Sequence, residues 1–575
     1  VTATVHDIPG RPGVAGRPAR WGLALAVLIV GMFMSILDVS IVNVAVPTIQ
    51  KAFGTTTEDI QWIATAYSLA LGVVVPVSGW LGDRLGFSRA YHLALLGFAA
   101  GSALCGVAWD LDSLVAFRVV QAIPGGILPV VTLSMVYRIV PREKIGAAMG
   151  MYGLGIVFAP AIGPTLGGYL VEYVDWRLIF FINVPVGLIG LASALLVLPR
   201  FPAGNAGRFD VLGFLTIAGG LFTLLLALSK GQDWGWTGYR VLVLFTYSAL
   251  SLATFVVIEL GTEEPLLDVR VFRYWPFTNS LLLIAVLSVG LFGVLFYVPL
   301  VLQQAQNLGA FHTGLVLLPQ ALVMGVIMPF AGRLYDRIGP RWPAVVGLTI
   351  VALGTYLLHN LTPDTTRSHM MALLAFRASG MGLAMMPIMT GGLAVIPTEL
   401  VSRASAFNNV VQRISAALGL ALLTALLTRQ QAQQLADRSA LLPPDVVPPH
   451  PPGTSPIVGL YGLYQELTRQ AFVAGVDDLF VVTAGLTVVG VALALPLRST
   501  LSGRTGRNAV PRQPTVGGGT YPEPGRARPP TVATKPARQG RGPLTTADQG
   551  RPAASGDPTG VRCGERRDGS AESAG

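Results

Sequence analysis

The sequence predicts an all-α polytopic membrane protein: two six-helix bundles with two extra central helices, about fourteen transmembrane helices in all. Three observations carry that expectation. Hydrophobic residues make up 52% of the 575 residues and charged residues only 12%, about half the usual charged share. A water-soluble fold could not hide that apolar surface, whereas a bilayer can. The excess is gathered into runs such as 21–46, 147–170 and 344–358, close to the ~20 residues that a ~30 Å hydrocarbon core asks of a helix. Finally, Gly79-Trp80-Leu81-Gly82-Asp83-Arg84-Leu85-Gly86 recurs as Gly332-Arg333-Leu334-Tyr335-Asp336-Arg337-Ile338-Gly339, and Arg89 and Arg341 follow shortly after. A charged turn repeated between apolar runs points to two structurally equivalent halves.

Apolar runs bounded by charges or turn residues place the spans in order. The first, 22–46, follows Arg11, Arg17 and Arg20; it is too long for a signal-peptide core and carries Asp38, so no cleavable leader is expected. The second, 61–80, runs into the first charged turn, and the third, 91–109, leaves it. The fourth, 112–131, holds Arg118 and Gln121 and stops before Arg138, Arg142 and Lys144. The fifth is 147–170, and the sixth, 177–198, ends before Arg200 and Arg208. The seventh and eighth, 211–229 and 240–260, are separated by Gln232-Asp233-Trp234-Gly235-Trp236, which reads as a short interfacial turn. The ninth, 277–302, follows Arg270 and Arg273, and the tenth, 313–332, ends in the second charged turn. The remaining spans are 344–361, 370–396, 405–428 and 479–497.

Lysine and arginine set the orientation. Arg84, Arg89, Arg138, Arg142, Lys144, Arg200, Arg208, Arg270, Arg273, Arg333, Arg337, Arg341 and Arg403 fall on one side; the opposite short connections hold only Lys51, Arg177, Lys230, Arg240 and Arg367. The basic side is expected to be cytoplasmic, and an even number of spans then puts both termini there. The expected location is the cell inner (plasma) membrane. The first charged turn joins spans two and three and the second joins ten and eleven, an offset of eight. This divides the chain into a cytoplasmic segment 1–20, a six-helix bundle 21–200, two linker helices 201–275 and a second bundle 276–498. Within the last, the proline-rich 429–478 is expected to form a long extracellular loop. The tail, 499–575, has almost no large apolar residue and is expected to be disordered. Truncation after Thr500 is accordingly expected to leave membrane insertion and folding largely intact. A truncated chain that fails to insert, or that melts well below the full chain, contradicts this.

Other functions find little support. The net charge of +10 is spread over loops and tail, with no basic patch interleaved with aromatics, so no nucleic acid is expected. Cys105 and Cys563 offer no disulfide framework. The six histidines show no paired ligand spacing and no phosphate-binding loop occurs, so neither a metal, another cofactor nor ATP hydrolysis is expected. A sensor would need a folded output domain, which the tail does not resemble. A polytopic enzyme or sensor is thus the weaker alternative.

Four motifs resemble one family. Leu37-Asp38-Val39-Ser40-Ile41-Val42-Asn43-Val44-Ala45-Val46-Pro47 looks like the first-helix signature of the fourteen-helix drug:proton antiporters of the EmrB/QacA type, within the major facilitator superfamily. Gln61-Trp62-Ile63-Ala64-Thr65-Ala66-Tyr67 opens the second helix as in those exporters, and both charged turns match the superfamily's loop motif. Ala161-Ile162-Gly163-Pro164-Thr165-Leu166-Gly167-Gly168 is similar to the fifth-helix antiporter motif. In the fourth helix Arg118 and Gln121 match the family pattern, but Ala122 and Pro124 stand where it has glycines. The resemblance covers roughly residues 20–498. It implies a major facilitator fold and proton-coupled export of amphipathic organic compounds, drugs or antibiotics, by alternating access. The alternative is export of a self-made siderophore or lipid-like metabolite. Expected partners are the small molecule, protons and the lipid bilayer, with a monomer as the working unit and the proton gradient in place of a cofactor.

The candidate site residues follow. A carboxylate at mid-membrane costs ~3 kcal/mol, so Asp38 should face the bundle interior, either to carry a proton, to meet a cationic substrate or to make an interhelical hydrogen bond. Asn43, roughly 140° further round the helix, is a second candidate. Arg118, beside Gln121, is the position that the resemblance ties to proton coupling; a fixed cation there makes protonation of a nearby carboxylate sensitive to helix rearrangement. In the thirteenth span Ser405, Asn408, Gln412 and Ser415 form a polar stripe flanked by Asn409 and Arg413, either a cavity wall or helix–helix glue. Gly163, Pro164, Gly167 and Gly168 combine a bend with close helix approach. In the charged turns, Gly79, Asp83, Arg84, Gly86 and Arg89 are matched by Gly332, Asp336, Arg337, Gly339 and Arg341. The two aspartates can accept from helix N-termini and the arginines can pair with carboxylates or carbonyls, latching one conformational state.

Overall fold

The computed structural model describes residues 21–204, 207–362, 364–397, 400–440 and 456–497, nearly all of them helical and with no strand among them. The long helices are α1 (Trp21–Phe53), α2 (Trp62–Leu85), α3 (Phe87–Gly106), α4 (Leu111–Ile139), α5 (Ile145–Tyr173), α6 (Asn183–Val197) and α7 (Val211–Trp234). They continue as α8 (Tyr239–Gly261), α9 (Trp275–Leu300), α10 (Ala310–Ile338), α11 (Arg341–Leu357), α12 (Arg367–Leu393), α13 (Val401–Ala440) and α14 (Pro456–Ala494). Among the described residues, thirteen spans are long and apolar enough to cross a membrane. The exception, α3, is 20 residues long but opens with Ser88, Arg89 and His92.

Packing follows the repeat. In the first half α1 packs on α4, α5 and α6, α4 also packs on α2 and α3, and α3 on α6. Adding eight to every helix number gives the second half: α9 packs on α12, α13 and α14, α12 also on α10 and α11, and α11 on α14. The halves meet where α5 packs along α10 and where α13 packs on α2 and α4, with α12 touching α5. The linker hairpin α7–α8 attaches through α7, which lies against both α2 and α13. In the apolar window of α8 only 17% of residues are buried, against 78% in α4; α8 is the outermost helix, its exposed Leu242, Val243, Leu250 and Val257 being an apolar face suited to lipid.

Two features depart from the sequence-based expectation. The 429–478 segment is not a long loop. Residues 429–440 continue α13 and 456–478 belong to α14, so the last helix starts well before 479. The stretch after Thr428 is rich in Arg, Gln, Ala and Leu, all good helix formers. The two helices pair beyond the apolar run, with Arg438 Nη1 donating to Gln470 Oε1 at 2.8 Å. Lys230 is not a loop cation: it lies in α7, 1% exposed, its Nζ donating to Asp233 Oδ2 at 3.0 Å and Gln61 Oε1 at 3.2 Å. The segment 1–20, the prolines between 443 and 452 and the tail 499–575 lie outside the described residues.

Candidate functional site

Proline chemistry positions the centre of the site. Pro129 in α4 and Pro164 in α5 have no N–H, so the carbonyls four residues earlier, of Gly125 and Pro160, lose their helical donors. In a membrane such groups must be satisfied internally. Two serines of α1 do so: Ser35 Oγ donates to Gly125 O at 2.9 Å and Ser40 Oγ to Pro160 O at 3.1 Å. These bonds tie α1 to both neighbours on either side of Asp38. Glycine lets α5 come close: a Cβ at Gly163 would sit 2.7 Å from Ser40 Cβ, and one at Gly167 2.7 Å from Ile41 Cγ1. Gly168 is buried beside them.

Asp38 is 0% and Arg118 1% exposed. Arg118 Nη1 donates to Asp38 Oδ2 and to Gln121 Oε1 at 2.9 Å. Gln121 Nε2 and Asn183 Nδ2 both donate to Asp38 Oδ1, at 2.9 and 3.1 Å. Asn183 Nδ2 also reaches Ser102 Oγ at 3.1 Å, and Ser102 donates to Phe180 O at 2.8 Å. The guanidinium lies over the Tyr67 ring, 3.7 Å from its centroid. Helices α1, α2, α3, α4 and α6 therefore converge on one buried ion pair. Removing one partner of such a pair costs about 3–5 kcal/mol, because the other charge is left uncompensated. Asn43 does not join the cluster; it is exposed, further round α1.

The two charged turns share a backbone as well as a sequence. Gly86 and Gly339 end α2 and α10 with φ of 83° and 80°, in the left-handed region that only glycine enters cheaply. Asp336 Oδ1 and Oδ2 accept from the N–H groups of Gly146 and Ala147 at 3.0 and 3.1 Å, at the start of α5 in the other half. That is the favoured place for a carboxylate, at the positive end of a helix dipole. Asp83 Oδ2 accepts from Ser402 Oγ, in the first turn of α13, at 3.4 Å, and Asp83 Oδ1 pairs with Arg138 at 3.5 Å. Arg138, rather than Arg84, thus supplies the cation. Arg84, Arg89, Arg337 and Arg341 are exposed and make no ion pair with the described residues. A Cβ at Gly79 would lie 3.5 Å from Ser402 O, so the same α2–α13 contact is close-packed.

The sequence profile of the Major Facilitator Superfamily matches residues 28–420. The chain belongs to the major facilitator superfamily. Among its relatives, the tetracenomycin C resistance and export protein of Streptomyces glaucescens is 32% identical over 522 residues, 86% of this chain and 95% of that protein. The multidrug resistance protein B homolog of Mycobacterium tuberculosis (strain ATCC 25618 / H37Rv) is 34% identical over 431 residues, covering 73% and 80%. The uncharacterized transporter YhcA of Bacillus subtilis (strain 168) is 33% identical over 490 residues, covering 82% and 92%. The crystal structure of the human organic anion transporter MFSD10 (TETRAN) superposes with a TM-score of 0.53 over 83% of this chain and 100% of that one. At 14% identity, that likeness is one of fold.

In this major facilitator chain the polar stripe of α13 lies where the second half meets α2 and α4. Ser405 donates to Val401 O at 2.7 Å and Asn409 Nδ2 to Ser405 O at 3.0 Å, so both bond within their own helix. Asn408 is 3% exposed, and neither its amide nitrogen nor its oxygen has a partner. Gln412, Arg413 and Ser415 are half-buried, and Arg413 Nε is likewise unpaired. Sequence reasoning missed Asn183, Ser102 and Tyr67 as members of the Asp38 cluster. Asn183 could have been found as the lone amide side chain in the otherwise apolar 178–197; Ser102 gives no such signal.

Proposed function

We propose that this multi-pass membrane protein is a proton-coupled exporter of amphipathic organic compounds working by alternating access, in the plasma membrane with the charged turns and both termini on the cytoplasmic side. One observation carries the coupling. Leaving aside exposed side chains and those in first or last turns, Asp38 is the only carboxylate in the helices that meet across the halves or pack centrally within them (α1, α2, α4, α5, α9, α10, α12 and α13). Protonation of Asp38 cancels its attraction to Arg118 and removes an acceptor from Gln121 or Asn183. The five converging helices then lose the contact that fixes their mutual position. Deprotonation restores it. The Asp336 and Asp83 contacts supply the other element, holding the cytoplasmic ends of the halves together until the cycle opens them. Export as the direction, and drugs or antibiotics as the cargo, are supported by the relatives named for resistance and export.

The test uses inside-out vesicles holding the purified protein. Substrate accumulation is expected to collapse with an uncoupler and to be indifferent to ATP; accumulation driven by ATP alone overturns the reading. Asp38→Asn, which keeps the shape but replaces one acceptor oxygen by a donor and holds no titratable proton, is expected to lose gradient-driven accumulation, with counterflow persisting in the protein that still inserts. Intact gradient dependence in that variant removes Asp38 from the proton path.

A further inference from the structure

The charges inside the protein bear on what it carries, an inference that rests on the exporter reading. In the eight central helices, leaving aside exposed side chains and those in first or last turns, one carboxylate faces three guanidiniums: Asp38 against Arg118, Arg377 and Arg413. Asp38 is fully buried and its charge is already paired, with Oδ2 bonded to Arg118 and Oδ1 to Gln121 and Asn183, so it presents no free charge to a cationic cargo. Arg377 is 2% exposed and meets only neutral acceptors, Thr355 Oγ1 at 2.8 Å and Gly290 O at 2.6 Å. Arg413 forms no ion pair with any described residue, and its Nε is buried without a partner. It stands on α13, the helix of the second half that packs on α2 and α4 of the first. On the same stretch of α13, Asn408 has both amide atoms unpaired. Guanidinium does not shed its proton in proteins, and a buried charge left unpaired is costly. Among the described residues neither Arg377 nor Arg413 has a carboxylate partner, so the eight central helices carry fixed positive charge that Asp38 alone does not balance.

We propose that the cargo is an anionic amphipathic compound, a carboxylate, phenolate or enolate on an apolar ring system, and that Arg413 takes its acidic group. The half-buried position of Arg413 leaves it reachable, and the planar fork of the guanidinium suits a two-oxygen or ring-oxygen anion. Arg377, bonded within its own half, adds to the positive potential without touching the cargo.

The experiment compares two dyes that share a xanthene ring system and differ in charge, anionic fluorescein and cationic rhodamine 6G, using the full chain. Binding in detergent is followed by fluorescence polarisation and flux in inside-out proteoliposomes. Fluorescein is expected to bind at least about tenfold more tightly than rhodamine 6G. Arg413→Met should cut fluorescein binding by about tenfold or more while leaving rhodamine 6G within about twofold, as expected when one partner of a charge pair is truncated. Arg413→Lys should keep the preference for the anion with a few-fold loss. A purely structural role for Arg413 would weaken both dyes alike. If Arg413→Met fails to insert, Arg413→Gln carries the same comparison. The proposal is overturned if rhodamine 6G binds as tightly as fluorescein, if fluorescein does not bind, or if its binding ignores Arg413. The exporter reading fails separately: Arg413-dependent fluorescein binding without uncoupler-sensitive flux leaves the charge preference standing and removes the coupling.

Discussion

Arg118→Ala is expected to abolish gradient-driven efflux, by at least about a hundredfold, because Asp38 loses the charge partner whose making and breaking couples the helices; the broken pair also costs about 3–5 kcal/mol of stability. The loss has a specific origin. Asp38, 0% exposed, would keep its bonds from Gln121 and Asn183 but lose its counter-charge. A carboxylate left there without its counter-charge would stall the cycle or destabilise the fold. Arg118→Lys should recover only part of the activity. An ammonium keeps the charge but cannot bond Asp38 and Gln121 in the planar geometry of the guanidinium while stacking on Tyr67. The double variant Asp38→Asn with Arg118→Gln removes both charges and should insert and melt close to the parent, with coupling still absent. Melting and efflux measured on all three variants separate the roles. A well-inserted Arg118→Ala protein with normal proton-driven efflux would refute the coupling role, whereas poor yield in every variant, the neutral pair included, would mark the cluster as structural.

Gly332→Val is the second large effect expected. At Gly332 a Cβ would overlap the Gly146 carbonyl oxygen, lie 2.6 Å from its carbon and 3.2 Å from Ala147 Cα. These are backbone atoms and cannot swing aside, so the ends of α5 and α10 must separate. Separation breaks the two bonds that Asp336 accepts from the start of α5. Efflux should fall by about tenfold or more, because α5 and α10 pack closely along their whole length. Gly150 abuts Met328 and Pro329, Gly325 abuts Phe158, and Gly314 abuts Thr165, and close-packed surfaces do not absorb an added methylene without shifting. In a background with Cys105→Ala and Cys563→Ala, a cysteine at Met149, which is 0% exposed, should label faster when Gly332→Val is present. Asp336→Asn retains a carbonyl acceptor but loses the charge at the helix terminus, a term of about 0.3–1 kcal/mol, up to ~2 kcal/mol where partly buried. It should therefore cost only a few-fold. Unchanged efflux and unchanged labelling in Gly332→Val would show that this contact is not part of the cycle.

The sequence by itself determined the class of fold and the repeat. Apolar run length reports directly on crossing a bilayer, and the duplicated turn put Asp83 with Asp336 and Gly86 with Gly339 at equivalent helix ends. It also singled out Asp38 and Arg118, because an ionised side chain inside a long apolar run is expensive enough to be conspicuous without any coordinates. Only the tertiary structure decided that the two form one pair, that Asn183 and Ser102 complete it, and that Asn43 stands outside it. Those facts depend on how helices far apart in sequence rotate and close on one another, which periodicity within a single helix does not encode. The same holds for Ser35 and Ser40 taking the carbonyls freed by two prolines on other helices. Lys230 and the 429–478 segment misled sequence reasoning for a related reason. A charge in a chain segment reads as solvent exposure or as the end of a span until a partner is known. Gln61 for Lys230 and Gln470 for Arg438 are partners supplied by packing, while Asp233 stands three residues from Lys230 in the same helix.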